Sequence, residues 1–201
     1  MTGRTAKGED TRQSILQAAS EVFARRGYAA TRMEDVFAAV GLTKGAVYFY
    51  FPSKEILARA VVEHHKQRWL AVGQEEVARH SDPLVQFREL AGLLITLSAS
   101  DAAGWSVVRL ADQLPASSEP ADARTGNPLA DWIELMAGII QRGQDGGIFR
   151  TEQPAADLGF IAVSAFDGLK TASDAVSPGD MTEFRRRAEA LVDTLESALR
   201  A

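Results

Sequence analysis

TRMEDVFAAVGLTKGAVYFYF, residues 31–51, is the stretch on which the reading of this chain turns. It holds two short helical patterns with a sharp turn between them. Met33, Val36, Phe37 and Val40 recur at the i, i+3, i+4, i+7 spacing of one helix face. Thr31 and Glu34 stand three apart, which predicts a capping box at the start of that helix. Gly41 stands where a left-handed residue ends a helix at least cost. Leu42 is expected to turn into the core, and Thr43 to cap a second, very short helix over roughly Lys44 to Tyr48. Helix, glycine turn, shorter helix is the helix-turn-helix order, whose second member enters a DNA major groove.

The side chains of the second helix suit that task. Thr43, Lys44 and Tyr48 offer a hydroxyl, a cation and a phenol, and Gly45 and Ala46 keep the backbone near whatever it reads. A lysine donating to guanine O6 and N7 is worth about 1–3 kcal/mol of discrimination. Val47 and Phe49 are expected to point the other way, into the core. The pattern alone also admits a plain helical hairpin of some all-α protein, with Tyr48 and Phe49 as ordinary packing.

A resemblance separates those readings. The segment from Ile15 to Leu57, ILQAASEVFARRGYAATRMEDVFAAVGLTKGAVYFYFPSKEIL, resembles the DNA-binding domain of TetR-family transcriptional regulators. The features carrying it are the helix ending in ARRGY, Thr31 shortly after, GLTKGAVYFYF, and SKE opening the next helix. It covers about the first quarter of the chain. It implies an all-α fold: a three-helix DNA-binding head over residues 1–53 and an all-helical effector-binding and dimerisation body over 54–201. The residues it points to for DNA are Arg4, Thr31, Arg32, Thr43, Lys44, Gly45, Ala46, Tyr48, Tyr50 and Lys54.

Composition fits. The chain has 201 residues, 46% hydrophobic and 24% charged, which is ordinary for a globular protein with a sizeable core. No apolar run approaches the roughly 20 residues a membrane helix needs, and the N-terminus lacks a signal-peptide apolar core. The absence of cysteine excludes disulfides and thiol chemistry and fits a cytoplasmic protein without membrane contact. The net charge of −5 divides unevenly. Residues 1–54 carry eight basic and five acidic side chains, leaving 14 basic and 22 acidic for the rest. A mildly basic head on an acidic body suits a protein whose head alone touches phosphate.

In chain order, residues 1–9 read as a flexible arm whose Arg4 and Lys7 are in reach of a groove or phosphate. Asp10 with Gln13 predicts a cap, and Ile15, Ala18, Ala19, Val22 and Phe23 the buried stripe of the first helix, stopped by Gly27. Tyr28 is placed to pack beneath the hairpin or to meet a phosphate, and the resemblance implies packing. Ser53 caps a long helix from Lys54 to about Arg79, with Ile56, Leu57, Ala60 and Val61 on one face. Lys54 is expected at a DNA phosphate. His64, His65 and His80 are too few and wrongly spaced for a metal site, and read as partly exposed. No cofactor or metal is expected.

The body reads as helices throughout. Asp82-Pro83 opens one through Phe87, Leu90, Leu94 and Leu97. GWSVVRLADQL (104–114) is a further segment, and PASSEPADARTGNP (115–128) a loop. Asn127-Pro128 opens a helix through Trp132, Leu135, Met136 and Ile139, ended by DGG. Pro154 starts another with Leu158, Ile161, Ala162, Ala165, Phe166 and Leu169 on one face. Asp180 with Glu183 caps the last, striped by Phe184, Ala188, Leu191, Leu195 and Leu199.

The resemblance implies a homodimer on double-stranded operator DNA, its half-sites about 34–36 Å apart or a multiple of that. Residues 155–173 and 182–199 match the family's pairing helices, so Leu158, Ala162, Ala165, Leu169, Phe184, Leu191 and Leu195 are the interface candidates. Filling the monomer core is the alternative use of those stripes. A small-molecule effector is also implied. Phe87, Trp105, Arg109, Gln113, Trp132, Met136, Phe160 and Phe166 are candidate lining residues, though aromatic residues at helical spacing also serve as plain core. VVRLADQLP and NPLADWIELM resemble the body of γ-butyrolactone autoregulator receptors, which implies that Trp132 faces a lactone. No G-x-S-x-G, H-E-x-x-H or Walker-type run supports an enzyme. An architectural DNA binder without effector is the competing reading. A repressor differs from it by preferring one palindrome by about 10³-fold or more.

Overall fold

The computed structural model describes residues 3–100, 110, 114 and 129–200, with side chains from Gly8 onward except Ser100. Eight helices order the described residues: α1 (Gly3–Ala30), α2 (Met33–Val40), α3 (Lys44–Tyr50), α4 (Lys54–Ala78), α5 (Pro83–Ser100), α6 (Ala130–Asp145), α7 (Ala155–Val176) and α8 (Met181–Leu199). No β-strand occurs among them beyond an isolated bridge between Phe149 and Arg200. They fall into two compact units. The first is residues 1–68 with 101–128, and the second is 69–100 with 129–201. The division therefore lies within α4, about fifteen residues beyond the 53/54 boundary expected from sequence.

In the first unit the apolar stripes converge on one core. Ile15, Leu16, Ala19, Val22 and Phe23 of α1 meet Met33 and Val36 of α2, Val47 of α3, Phe51, and Leu57 and Val61 of α4. Leu110 is buried in the same cluster. Each large side chain taken from water there contributes about 1.5–3 kcal/mol. The α1 helix reaches back to Gly3, so the expected arm is helical from that residue on, and Asp10 lies inside the helix rather than capping it. Gln13 donates to Glu9, and the Ser14 hydroxyl donates to the Asp10 carbonyl, the side-chain bonds of a helix interior. Gly27 breaks the helix at φ 72° and ψ 172°, a conformation favouring glycine.

The cap of α2 lies one residue beyond its expected place. Arg32 is the N-cap residue, and its backbone N–H donates to the Asp35 carboxylate at 2.9 Å. Thr31 instead donates its hydroxyl to the Gly27 carbonyl at 2.7 Å, which satisfies the broken end of α1 and leaves Glu34 exposed. The other caps lie as expected. The Thr43 hydroxyl accepts from Ala46 N–H, Ser53 from Ile56 N–H, and Asp180 from Glu183 N–H. Gly41 adopts φ 71° at the end of α2. Ile56 is exposed, because α4 turns Leu57, Ala58, Val61 and Val62 inward instead. His65 is buried with them, 2.7 Å from the Ser20 hydroxyl, rather than partly exposed.

The second unit packs α5, α6, α7 and α8 around Phe87, Leu90, Ile139, Ile140, Phe149 and Phe184. α6 and α7 approach closely at Gly159, where a Cβ would stand 2.8 Å from the Ala137 backbone nitrogen. The inward face of α7 is Ala155, Gly159, Ala162, Val163 and Phe166, a rotation from the expected stripe that leaves Ile161 exposed. Polar bonds fix the helix ends. Gln86 donates to the carbonyls of Val77 and His80 and accepts from the Arg142 guanidinium.

Candidate nucleic-acid interface

α3 sits on the first unit's core through one side only. Val47 is fully buried, Tyr48 is half-buried with its ring edge-on to Phe37 at 5.4 Å, and Ala46 and Tyr50 are half-buried. The opposite side carries exposed Thr43, Lys44, Gly45 and Phe49. Phe49 is 81% exposed, so its expected place in the core is wrong. The reason is the helical period: Phe49 is two residues from Val47 and therefore faces away from it. The Lys44 ammonium lies 5.7 Å from the centroid of the Tyr48 ring. Neither Lys44 nor exposed Arg32 has a carboxylate partner among the described residues.

Three residues expected at DNA do other work here. Thr31 is 1% exposed, and its hydroxyl is spent on Gly27. Lys54 donates to the Tyr28 and Thr31 carbonyls at 2.9 and 3.0 Å and lies 4.3 Å over the Tyr28 ring, so it ties α1 to α4. Tyr50 turns toward α1, where a Cβ on Gly8 would meet its hydroxyl at 3.6 Å. Tyr28 also stacks on Phe23, and its phenol pKa is raised by burial and by Glu55. Arg4 lies in α1, and its side chain is outside the described residues.

Phe87, Met136 and Phe166 line an enclosed apolar cavity of about 20 Å³ between α5, α6, α7 and α8, together with Leu191 and Leu195. That is room for about one water. Trp132 is buried elsewhere, with its ring against Gly73 of α4. Phe160 is 58% exposed. Trp105, Arg109 and Gln113 lie outside the described residues. Of the interface candidates, Ala162 and Phe184 fill the protomer core and offer no surface, whereas Leu158, Ala165 and Leu169 are half-buried. Sequence reasoning missed Phe160 and Ile161 as surface residues, because both are apolar and sit next to the true inward stripe.

Residues 15–61 match the family described as "Bacterial regulatory proteins, tetR family". A solved structure described as "Molecular basis for control of antibiotic production by a bacterial hormones" is 35% identical, covers 96% of this chain and 98% of its own, and superposes with a TM-score of 0.82. The chain belongs to the TetR family of bacterial regulatory proteins. As in that family at large, it is a DNA-binding transcriptional regulator and not an enzyme. The A-factor receptor protein of Streptomyces griseus is 28% identical over 87% of this chain. The aligned region spans 59% of that receptor, less than two thirds of its length. TylP, a TetR regulator from Streptomyces fradiae, is 25% identical in its solved structure, with 96% of this chain and 88% of TylP covered and a TM-score of 0.67. In this TetR-family chain no described helix is long and apolar enough to cross a membrane.

Proposed function

We propose that this protein is a cytoplasmic, dimeric repressor that binds a palindromic operator and is released from it by a small-molecule effector of γ-butyrolactone type. The observation that carries the DNA-binding half is α3 itself. Its Val47 side is buried, and its Thr43, Lys44 and Gly45 side is open and unpaired with carboxylate. A short helix so held, in a head with an excess of basic residues, suits a major groove and its phosphates. Similarity to a relative named as an A-factor receptor supports the effector half, alongside the residues resembling lactone receptors near Trp132.

Among the described residues, the small cavity between Phe87, Met136 and Phe166 favours a second reading, a TetR-family regulator without an effector. An effector larger than one water entering between Phe87, Met136 and Phe166 must spread those side chains. The experiment is release of labelled DNA from the gene's own upstream region, titrated with γ-butyrolactones. Binding followed by release supports the full proposal. Binding that no lactone or culture extract relieves favours the second reading. No binding to that fragment or to a selected random duplex would defeat both.

A further inference from the structure

Two residues on the outward side of α3 cost the free protein stability, and nothing among the described residues compensates for them. Gly45 and Phe49 are one helical turn apart and share the side opposite buried Val47. Phe49 leaves 81% of its surface in water, although burying such a ring is worth about 1.5–3 kcal/mol. Gly45 is exposed, its φ is not positive, and a Cβ built on it meets nothing within 4 Å. Neither backbone conformation nor crowding calls for glycine there. Glycine in a helix is nonetheless less favourable than alanine, by up to about 1 kcal/mol in a helix interior.

Both features make sense against an outside surface that approaches the α3 backbone closely and carries apolar groups. Adjacent Lys44, unpaired with any carboxylate among the described residues, marks that surface as anionic. In the major groove of DNA the apolar group on a base edge is the thymine 5-methyl. A phenyl ring accepts and donates no conventional hydrogen bond, so a methyl is what it can read there. The Phe49 ring is braced edge-on against Tyr50 at 5.2 Å and 90°, which limits its freedom before contact.

We propose that Phe49 reads a thymine methyl in each operator half-site, and that Gly45 is what lets the α3 backbone come close enough for it to do so. This rests on the DNA-binding reading above and adds a base identity to it. The test selects an operator from random duplexes with the full-length protein, then replaces each thymine in turn by deoxyuracil, which removes only the methyl. The wild type is expected to lose about fourfold in affinity at one thymine per half-site, the worth of one buried methyl. Phe49→Ala should bind more weakly and be indifferent to that replacement. Gly45→Ala should raise the melting temperature of the free protein while weakening every site. Phe49 is exposed, so Phe49→Ala folds, and its circular dichroism confirms this. Equal deoxyuracil profiles for wild type and Phe49→Ala would overturn the role of Phe49 and leave DNA binding standing. A wild type that enriches no sequence overturns both.

Discussion

The indole ring of Trp132 presses on Gly73 so closely that a Cβ there would lie 2.9 Å from two of its ring carbons. Leu90 closes the other side, 3.3 Å from the same point. Trp132 is itself buried. Gly73→Ala gains about 1 kcal/mol of helix propensity but overpacks a rigid ring, which costs about 1–3 kcal/mol. The expected net result is a loss of about 1 kcal/mol in urea unfolding. Adding Trp132→Phe should recover part of it, with a coupling of at least about 0.5 kcal/mol. Additive effects of the two changes would show that ring and glycine do not press on each other.

Lys54 tests a different expectation. A lysine kept for phosphate leaves the free protein indifferent to its loss. Here its ammonium holds the Tyr28 and Thr31 carbonyls at the end of α1. Hydrogen bonds from a charged donor contribute about 1.5–3 kcal/mol. Lys54→Ala is therefore expected to lower the stability of the DNA-free protein by about that much, read as a lower midpoint in urea. An unchanged midpoint would return Lys54 to the phosphate role.

The contrast between Lys54 and Lys44 shows where sequence stops informing. Both sit at a helix start, and both match the family pattern. Which one meets carbonyls depends on where α1 ends, and that depends on Gly27, while the carbonyls themselves lie 26 and 23 residues away from Lys54 in the chain. The caps at Thr43, Ser53 and Asp180 were legible because a cap is a local bond over three residues. Thr31 and Glu34 satisfied the same local rule, but the Gly27 carbonyl competed for the Thr31 hydroxyl and won. Helices and their order were legible from periodicity. The face of α7 was not, since Ile161, Ala162 and Val163 are all apolar and only Gly159, fitted against Ala137, sets the rotation. His65 likewise reads as a surface residue until Ser20 is placed beside it.

Glu196 of α8 receives the guanidinium of Arg88 from α5 and that of Arg200. Its side chain is 8% exposed. The hydrogen bond from Arg88 holds its carboxyl below the ordinary glutamate value of 4.5 despite burial, which pushes the other way. A depressed folded pKa means that the unfolded chain takes up the proton first. The stabilisation is therefore full above 4.5 and is lost as the pH falls below it through the folded value. Glu196→Gln should lower stability at pH 7 and flatten the decline of stability in that acidic window relative to wild type. Parallel curves for the two proteins would remove Glu196 from the acid response.

The exposed side of α7 bears on the dimer. Phe160 and Ile161 stand side by side on it, 58% and 51% exposed. Ala162, one residue on, is 5% exposed in the protomer core. A charge at Ile161 meets water in a monomer and is desolvated only in an assembly, whereas a charge at Ala162 is desolvated either way. Ile161→Asp should thus keep the helical circular dichroism and melting behaviour of a folded monomer, yet sediment as a monomer at micromolar concentration. Its affinity for a palindrome should fall toward that for a half-site, because two heads no longer arrive together. Ala162→Asp should lose helicity outright. A folded Ile161→Asp that still sediments as a dimer would move the interface off this face of α7, and the half-buried Leu158, Ala165 and Leu169 beside it would lose their claim as well.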